Sequence, residues 1–222
     1  MKFYWIKTHW IIRKIFSGYI WKIPNSQKKI YLTFDDGPTP EITHWTLEIL
    51  KSYQAKATFF CIGENIAKNP HIFQQIIAEG HAIGNHTYNH LNGWHVSYNE
   101  YLTNVEQCHE TIQKYGPQKH VSSKLFRPPY GKLTRQQSKL LKKEGYKIIM
   151  WDILSADFDT SISPKKCAEN VLKNIQPGSI IIFHDSIKAS QNLKVALSET
   201  LEYLTKNGYK MEALKCIPEP NQ

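Results

Sequence analysis

The sequence predicts an α/β fold of parallel strands covered by helices, and two observations carry that prediction. After Pro24, short apolar runs alternate with amphipathic stretches about seven times along the chain. Most of the amphipathic stretches open on a capping residue or a proline and close near a glycine, the signature of helices between strands. Such alternation implies parallel pairing through right-handed crossovers. The 222 residues, 41% hydrophobic and 21% charged, bury a substantial core and fit one domain. Periodicity leaves open whether the strands form a doubly wound sheet or close into a barrel.

The elements follow in order. Lys29–Phe34 reads as the first strand. Thr39-Pro40-Glu41 then supplies an N-cap, a proline at the first helical position and an early acid, opening a helix to about Tyr53. Lys56–Cys61 is the second strand, and Asn69-Pro70 starts a helix that Gly80 stops. His81–Gly84 is a short strand, after which Ser97-Tyr-Asn-Glu100 forms a capping box for a helix to Gly116. Strand Lys124–Arg127, a helix from Thr134 to Gly145 and strand Lys147–Trp151 come next. Ser163-Pro164 opens a helix closed by Pro177-Gly178, followed by strand Ser179–Phe183, a helix to Gly208 and a last strand, Tyr209–Leu214.

Charge and cysteine usage narrow the function classes. The formal net charge is +9, but no long Lys/Arg run occurs, so nucleic acid is not expected as a partner and a basic solvated surface accounts for the charge. Cys61, Cys108, Cys167 and Cys216 lie far apart with no CxxC pair, which excludes a zinc ribbon or a redox motif, and they are expected to be reduced. The N-terminal residues 1–21 are aromatic and basic. Their longest uncharged stretch, Ile15–Trp21, is too short to span a membrane, and no apolar region with a small-residue cleavage site marks a signal peptide. A segment packed on the domain is expected. Peripheral membrane contact is the second reading, because Trp10, Ile11 and Ile15 fall within a helical stripe.

In parallel α/β folds reactive groups gather at the carboxyl ends of strands, and five such ends carry more polar chemistry than turns require. Asp35-Asp36-Gly37-Pro38 leaves the first strand. Adjacent carboxylates there point to opposite sides and can take different work, although Asp-Gly-Pro is also ordinary turn chemistry. His86-Thr-Tyr-Asn-His90 places two imidazoles on one face of a helical turn, with Cβ atoms roughly 6 Å apart, suited to one metal ion if an acid joins them. Arg127-Pro-Pro-Tyr130-Gly131 fixes the backbone so that the Tyr130 N–H is aimed as an oxyanion donor, or is simply a rigid turn. Asp152, Asp157 and Asp159 stand with Trp151 and Phe158 after an apolar strand. His184 ends the strand Ile180–Phe183, where it suits general acid or base work or a structural hydrogen bond.

Together, TFDDGP (Thr33–Pro38), HTYNH (His86–His90), RPPYG (Arg127–Gly131), SADF (Ser155–Phe158) and IIIFH (Ile180–His184) resemble the five ordered motifs of the polysaccharide deacetylases. These are the carbohydrate esterase family 4 enzymes with a NodB-homology domain. The resemblance spans about residues 28 to 210. It divides the chain into an N-terminal segment (1–26), the domain (27–217) and a tail (218–222).

The resemblance implies a deformed (β/α) barrel of about seven strands rather than an open sheet. It implies that Asp36, His86 and His90 bind a divalent metal, usually zinc, and that Asp35 is the general base with Arg127 as its partner. By the same resemblance the Tyr130 backbone N–H holds the oxyanion, His184 is the general acid and Asp157 tunes it. Pro129, Trp151, Phe158 and Ile182 would contact substrate, Ile182 beside the acetyl methyl group. The implied reaction is metal-dependent hydrolysis of N-acetyl groups on glycans, peptidoglycan or chitin-like, releasing acetate. Alternatives are a non-sugar amide, an O-acetyl ester, or an inactive saccharide-binding module. Two positions depart from the family's Asp-x-x-Asp-Trp motif: Leu154 stands at the first Asp and Phe158 at the Trp, which bears on the substrate rather than on the reaction. The compartment expected from the N-terminus is cytoplasmic or membrane-peripheral, with the cell envelope as the alternative that a wall substrate requires.

Overall fold

The structure is a computed structural model that describes residues 5–116 and 124–215. Cys216, Met1–Tyr4 and the tail 218–222 lie outside the described residues. Seven strands form a curled, wholly parallel sheet in the order β5-β4-β3-β2-β1-β7-β6. They are β1 (Lys29–Asp35), β2 (Ala57–Cys61), β3 (Ala82–Asn85), β4 (Leu125–Phe126), β5 (Lys147–Ile148), β6 (Ile153–Leu154) and β7 (Ile180–His184). An eighth, β8 (Lys210–Met211), pairs with the first two residues of β1. With eight α-helices around it among the described residues, this is the deformed (β/α) barrel implied by the motifs.

Alternation along β1 sets up the site. Leu32 and Phe34 face the covering helices, where Phe34 stacks on Phe59 at 5.0 Å and on Phe183 at 5.9 Å. Thr33 and Asp35 therefore face the barrel interior. Both faces are buried, which explains why β1, β2 and β7 read as apolar runs rather than alternating strands.

The helices are α1 (Trp10–Ile15), α2 (Ile42–Ser52), α3 (Gly63–Lys68), α4 (Pro70–Ala78), α5 (Tyr98–Tyr115), α6 (Arg135–Lys143), α7 (Pro164–Leu172) and α8 (Ser190–Lys206). Ser97 and Ser163 cap α5 and α7 as their sequences predict, each hydroxyl accepting an N–H three residues on. Three details differ from the sequence reading. The expected Thr39 cap does not form, because Thr43 Oγ1 accepts the Thr39 N–H and α2 begins only at Ile42. Helix α3, six residues long, is too short to show periodicity. The expected strand Lys147–Trp151 stops at Ile148, because the Ile149 and Met150 carbonyls turn to accept N–H groups from Arg127; β6 follows separately.

The gap between β5 and β6 is filled by the N-terminal segment. Ile20 pairs with Ile149 in parallel and Lys7 with Ile153 antiparallel. Lys7 Nζ lies 2.6 Å from the buried Asp152 carboxylate, and Thr8 Oγ1 donates to the Trp151 carbonyl. Residues 6–8 and 20–23 are thus stitched into the barrel wall, with α1 held outside between them, a closer integration than a segment laid on the domain. Among the described residues, no helix is long and apolar enough to cross a membrane.

Candidate active site

The five strand ends picked out by the sequence converge on a cavity of about 560 Å³. Asp35 closes β1 with its carboxylate buried. One oxygen accepts Arg127 Nη1 at 2.7 Å, and the other lies 3.8 Å from His86 Nε2. Arg127 is fully buried and fully engaged. Its guanidinium also donates to Thr33 Oγ1 and to the Ile149 and Met150 carbonyls, and it stacks over Phe60 at 4.1 Å. Such pairing is what permits a buried cation and carboxylate in a barrel interior.

Asp36 turns the other way, with φ at 81°. The Gly37 N–H and Thr43 Oγ1 both donate to Asp185 (3.1 and 2.6 Å), and Asn65 donates to the Asp36 carbonyl at 2.7 Å, clamping this turn. Asp36 Oδ1 lies 3.3 Å from His90 Nε2 and 3.7 Å from His86 Nε2. His86 Nδ1 is 2.7 Å from the Arg127 carbonyl, an acceptor only, so that nitrogen carries the proton and Nε2 presents its lone pair. Burial, aided by His90, lowers the His86 pKa to about 3, so the imidazole is neutral. His90 Nδ1 lies 3.1 Å from the Tyr130 hydroxyl.

The expected helical turn at His86–His90 is not helical. Asn85 Oδ1 accepts the Thr87 N–H and Thr87 Oγ1 accepts the Leu91 N–H, with Thr87 and His90 both at positive φ. These side-chain bonds replace the helical ladder yet still bring the two rings to 5.1 Å.

One carboxylate oxygen and two imidazole nitrogens lie within 4.8 Å of one another. Asp36 Oδ1 is buried with no hydrogen-bond partner among the described residues. A buried orphan acceptor facing two neutral imidazoles suits a divalent cation of the zinc type.

Opposite stands His184, at the end of β7. Its Nδ1 is 2.8 Å from Asp157 Oδ1, and its backbone N–H donates to Asp157 Oδ2 at 2.8 Å. Burial alone lowers the His184 pKa, but the charge and hydrogen bond of Asp157, with Asp36 and Asp35 beyond, outweigh it and raise the value to about 9. Trp151, Leu154, Phe158 and Ile182 form the apolar wall of the cavity. Pro128, rather than the expected Pro129, lines it; Pro129 opens the 3₁₀ turn Pro129–Gly131. Within that turn Tyr130 has φ of 59°, and its ring is 62% exposed at the mouth.

The sequence profile described as polysaccharide deacetylase matches residues 22–149. The chain belongs to the polysaccharide deacetylase family. A peptidoglycan-N-acetylglucosamine deacetylase of Bacillus cereus is 34% identical over 196 residues, covering 87% of this chain and 90% of that protein. A chitooligosaccharide deacetylase of Azorhizobium caulinodans is 37% identical over 169 residues, covering 74% and 77%. Among solved structures, a peptidoglycan N-acetylglucosamine deacetylase in complex with 4-naphthalen-1-yl-N-oxidanyl-benzamide superimposes with a TM-score of 0.84 at 33% identity, covering 93% of this chain and 95% of that one.

In this polysaccharide deacetylase, sequence reasoning assigned no work to Asp185, Thr33, Leu154 or Lys188. Asp185 is buried, which raises its pKa to about 7, and it accepts bonds from Gly37 and Thr43. Its one visible signal is a second polar residue directly after His184. Thr33 reads from sequence as an ordinary strand residue, Leu154 stands out there only as a departure from the fourth motif, and nothing sets Lys188 apart from any surface lysine.

Proposed function

We propose that this polysaccharide deacetylase hydrolyses N-acetyl groups on a peptidoglycan or chitin-like glycan, with zinc held by Asp36, His86 and His90. The observation that carries the reading is one cavity flanked by an arginine-paired carboxylate, a carboxylate with two neutral imidazoles, and an aspartate-bound histidine. When bound, zinc polarises the acyl carbonyl and acidifies water.

The chain's own residues do the rest. Arg127 holds one oxygen of Asp35, leaving the other to take a proton from the attacking water. The Tyr130 N–H, in its fixed left-handed turn, donates to the oxyanion. His184, protonated at neutral pH, gives its Nε2 proton to the amine as the C–N bond breaks, and Asp157 holds the resulting imidazole. An amide needs that acid because a deprotonated amine is a very poor leaving group. The products are acetate and a free amino sugar. Trp151, Phe158 and Ile182 offer an apolar surface to the acetyl methyl and the sugar face.

The peptidoglycan-directed relatives support a substrate in the cell envelope. The test is acetate release from N-acetylglucosamine oligomers, peptidoglycan and acetylated xylan, with metal stripped and then zinc restored. Zinc-dependent release from an N-acetylated glycan is expected. Release from xylan esters alone, or from no glycan with zinc bound, overturns the reading.

A further inference from the structure

Eleven large apolar side chains are exposed among the described residues, and five of them lie in one stretch: Trp5, Trp10, Ile11, Ile15 and Phe16. None of the six residues of α1 is buried. At 100° per residue, Trp10, Lys14, Ile11 and Ile15 share one side of the helix. Ile12 turns the other way, onto the cluster around Leu141 and Tyr146, and Arg13 reaches the buried Asp152 carboxylate at 3.4 Å. The stretch is no loose tail. Lys7 and Thr8 fasten it before α1, and after α1 Ile20 exchanges backbone bonds with Ile148 and Met150. Its outer apolar face is therefore held in a fixed position on the barrel.

The charge around this face is mostly basic, with Glu144 at the end of α6 the exposed acid beside it. Residues 1–34 contain seven Lys or Arg and no Asp or Glu. Lys7 and Arg13 neutralise Asp152, whereas Lys14 is exposed. From α6, Lys142 Nζ sits 5.1 Å over the Tyr19 ring, and Lys139 and Lys143 are exposed on the same helix. Indoles and isoleucines interleaved with cations match a membrane interface, where aromatic rings sit at headgroup depth and anionic lipids attract the lysines. A second copy of the chain would set two acid-free basic stretches against each other. A polyanionic wall polymer would leave the isoleucines without a partner.

We propose that Trp5–Phe16, with Lys14 and the basic end of α6, is a docking surface for an anionic lipid bilayer. The face lies flat on the interface, Trp10, Ile11 and Ile15 entering the headgroup region and the lysines pairing with lipid phosphates. The inference stands independently of which glycan the cavity takes.

The test is flotation of the zinc-loaded full chain with vesicles of phosphatidylcholine alone or mixed with phosphatidylglycerol. Binding to the mixed vesicles, weakened by salt and absent on the neutral ones, is expected. Two variants at exposed positions, checked for folding by circular dichroism, complete it. The double variant Trp10→Ser/Ile15→Ser should abolish flotation, and Lys14→Glu should weaken it about tenfold or more. No flotation with the mixed vesicles, or flotation unchanged in both variants, overturns the proposal. So does retention by purified wall polymer without vesicle binding, or a dimer that these variants dissolve.

Discussion

Arg127 and Asp35 form a buried ion pair, Nη1 to Oδ1 at 2.7 Å, between the interior ends of β4 and β1. The remaining guanidinium bonds go to Thr33 and to two carbonyls between β5 and β6. One side chain thus ties the carboxylate proposed as the general base to the opposite wall of the barrel. Arg127→Ala should abolish turnover and, by leaving Asp35 buried without its partner, destabilise the fold by about 3–5 kcal/mol. Arg127→Lys should not rescue it, since an ammonium cannot span carboxylate and carbonyls in one plane. Denaturant titration beside acetate release checks both statements.

The proposed metal donors have a support that is testable apart from chemistry. His90 Nδ1 meets the Tyr130 hydroxyl at 3.1 Å, and the two rings lie 4.6 Å apart. Tyr130→Phe removes that bond but keeps the backbone N–H. It should weaken zinc binding about 10- to 100-fold, while the variant restored at saturating zinc regains most of its turnover. Competition with a chromogenic chelator reads the affinity directly.

His184 supplies the pH dependence. Its pKa is raised to about 9 in the metal-free fold, and the proposed acid works only when protonated, so activity should fall as pH rises through its value in the loaded enzyme. A divalent ion held by Asp36 would offset the share that Asp36 and Asp35 contribute, so the limb of the metal-loaded enzyme should lie below 9. Asp157→Asn removes the strongest raising partner and should move the alkaline limb of kcat/KM further down. Because the folded value exceeds the ordinary 6.5, the pair also stabilises the metal-free fold fully below that pH, and the contribution is lost as pH rises through about 9. Rate profiles and thermal melts across pH test the two effects separately.

Gly37 has no room for a side chain. A Cβ there would sit 2.1 Å from Asp185 Oδ2, and Asp185 is fixed by Thr43 and by the Gly37 N–H itself. Gly37→Ala should therefore cost about 1–3 kcal/mol and shift Asp36, lowering zinc affinity together with turnover. Loss of stability with zinc affinity intact would show that the turn does not position the ligand.

Much of this was legible in the sequence because the chemistry stands at strand ends. Alternation of apolar runs with capped helices located β1, β2, β3 and β7, and Asp35, Asp36, His86, His90 and His184 fall where parallel strands deliver polar residues. The barrel could not be read from periodicity and came from the motif resemblance. What stayed hidden was long-range. Nothing local says that the Met150 carbonyl turns to Arg127 and ends a strand, that Asp185 reaches back to Gly37, or that Asn85 and Thr87 replace a helical turn. Residues 6–8 and 20 likewise carry no mark of the seam they fill, because pairing of Ile20 with Ile149 depends on the curl of the whole sheet.

The central claim is that two adjacent carboxylates divide the work, Asp35 moving the proton and Asp36 holding the metal. The most direct measurement is zinc content and acetate release, side by side, for the wild-type chain, Asp35→Asn and Asp36→Asn on an N-acetylglucosamine oligomer. Asp35→Asn should retain stoichiometric zinc while turnover falls by about 10²- to 10⁴-fold, and Asp36→Asn should lose zinc and turnover together. An Asp35→Asn enzyme that keeps its zinc and releases acetate at close to the wild-type rate would contradict the account.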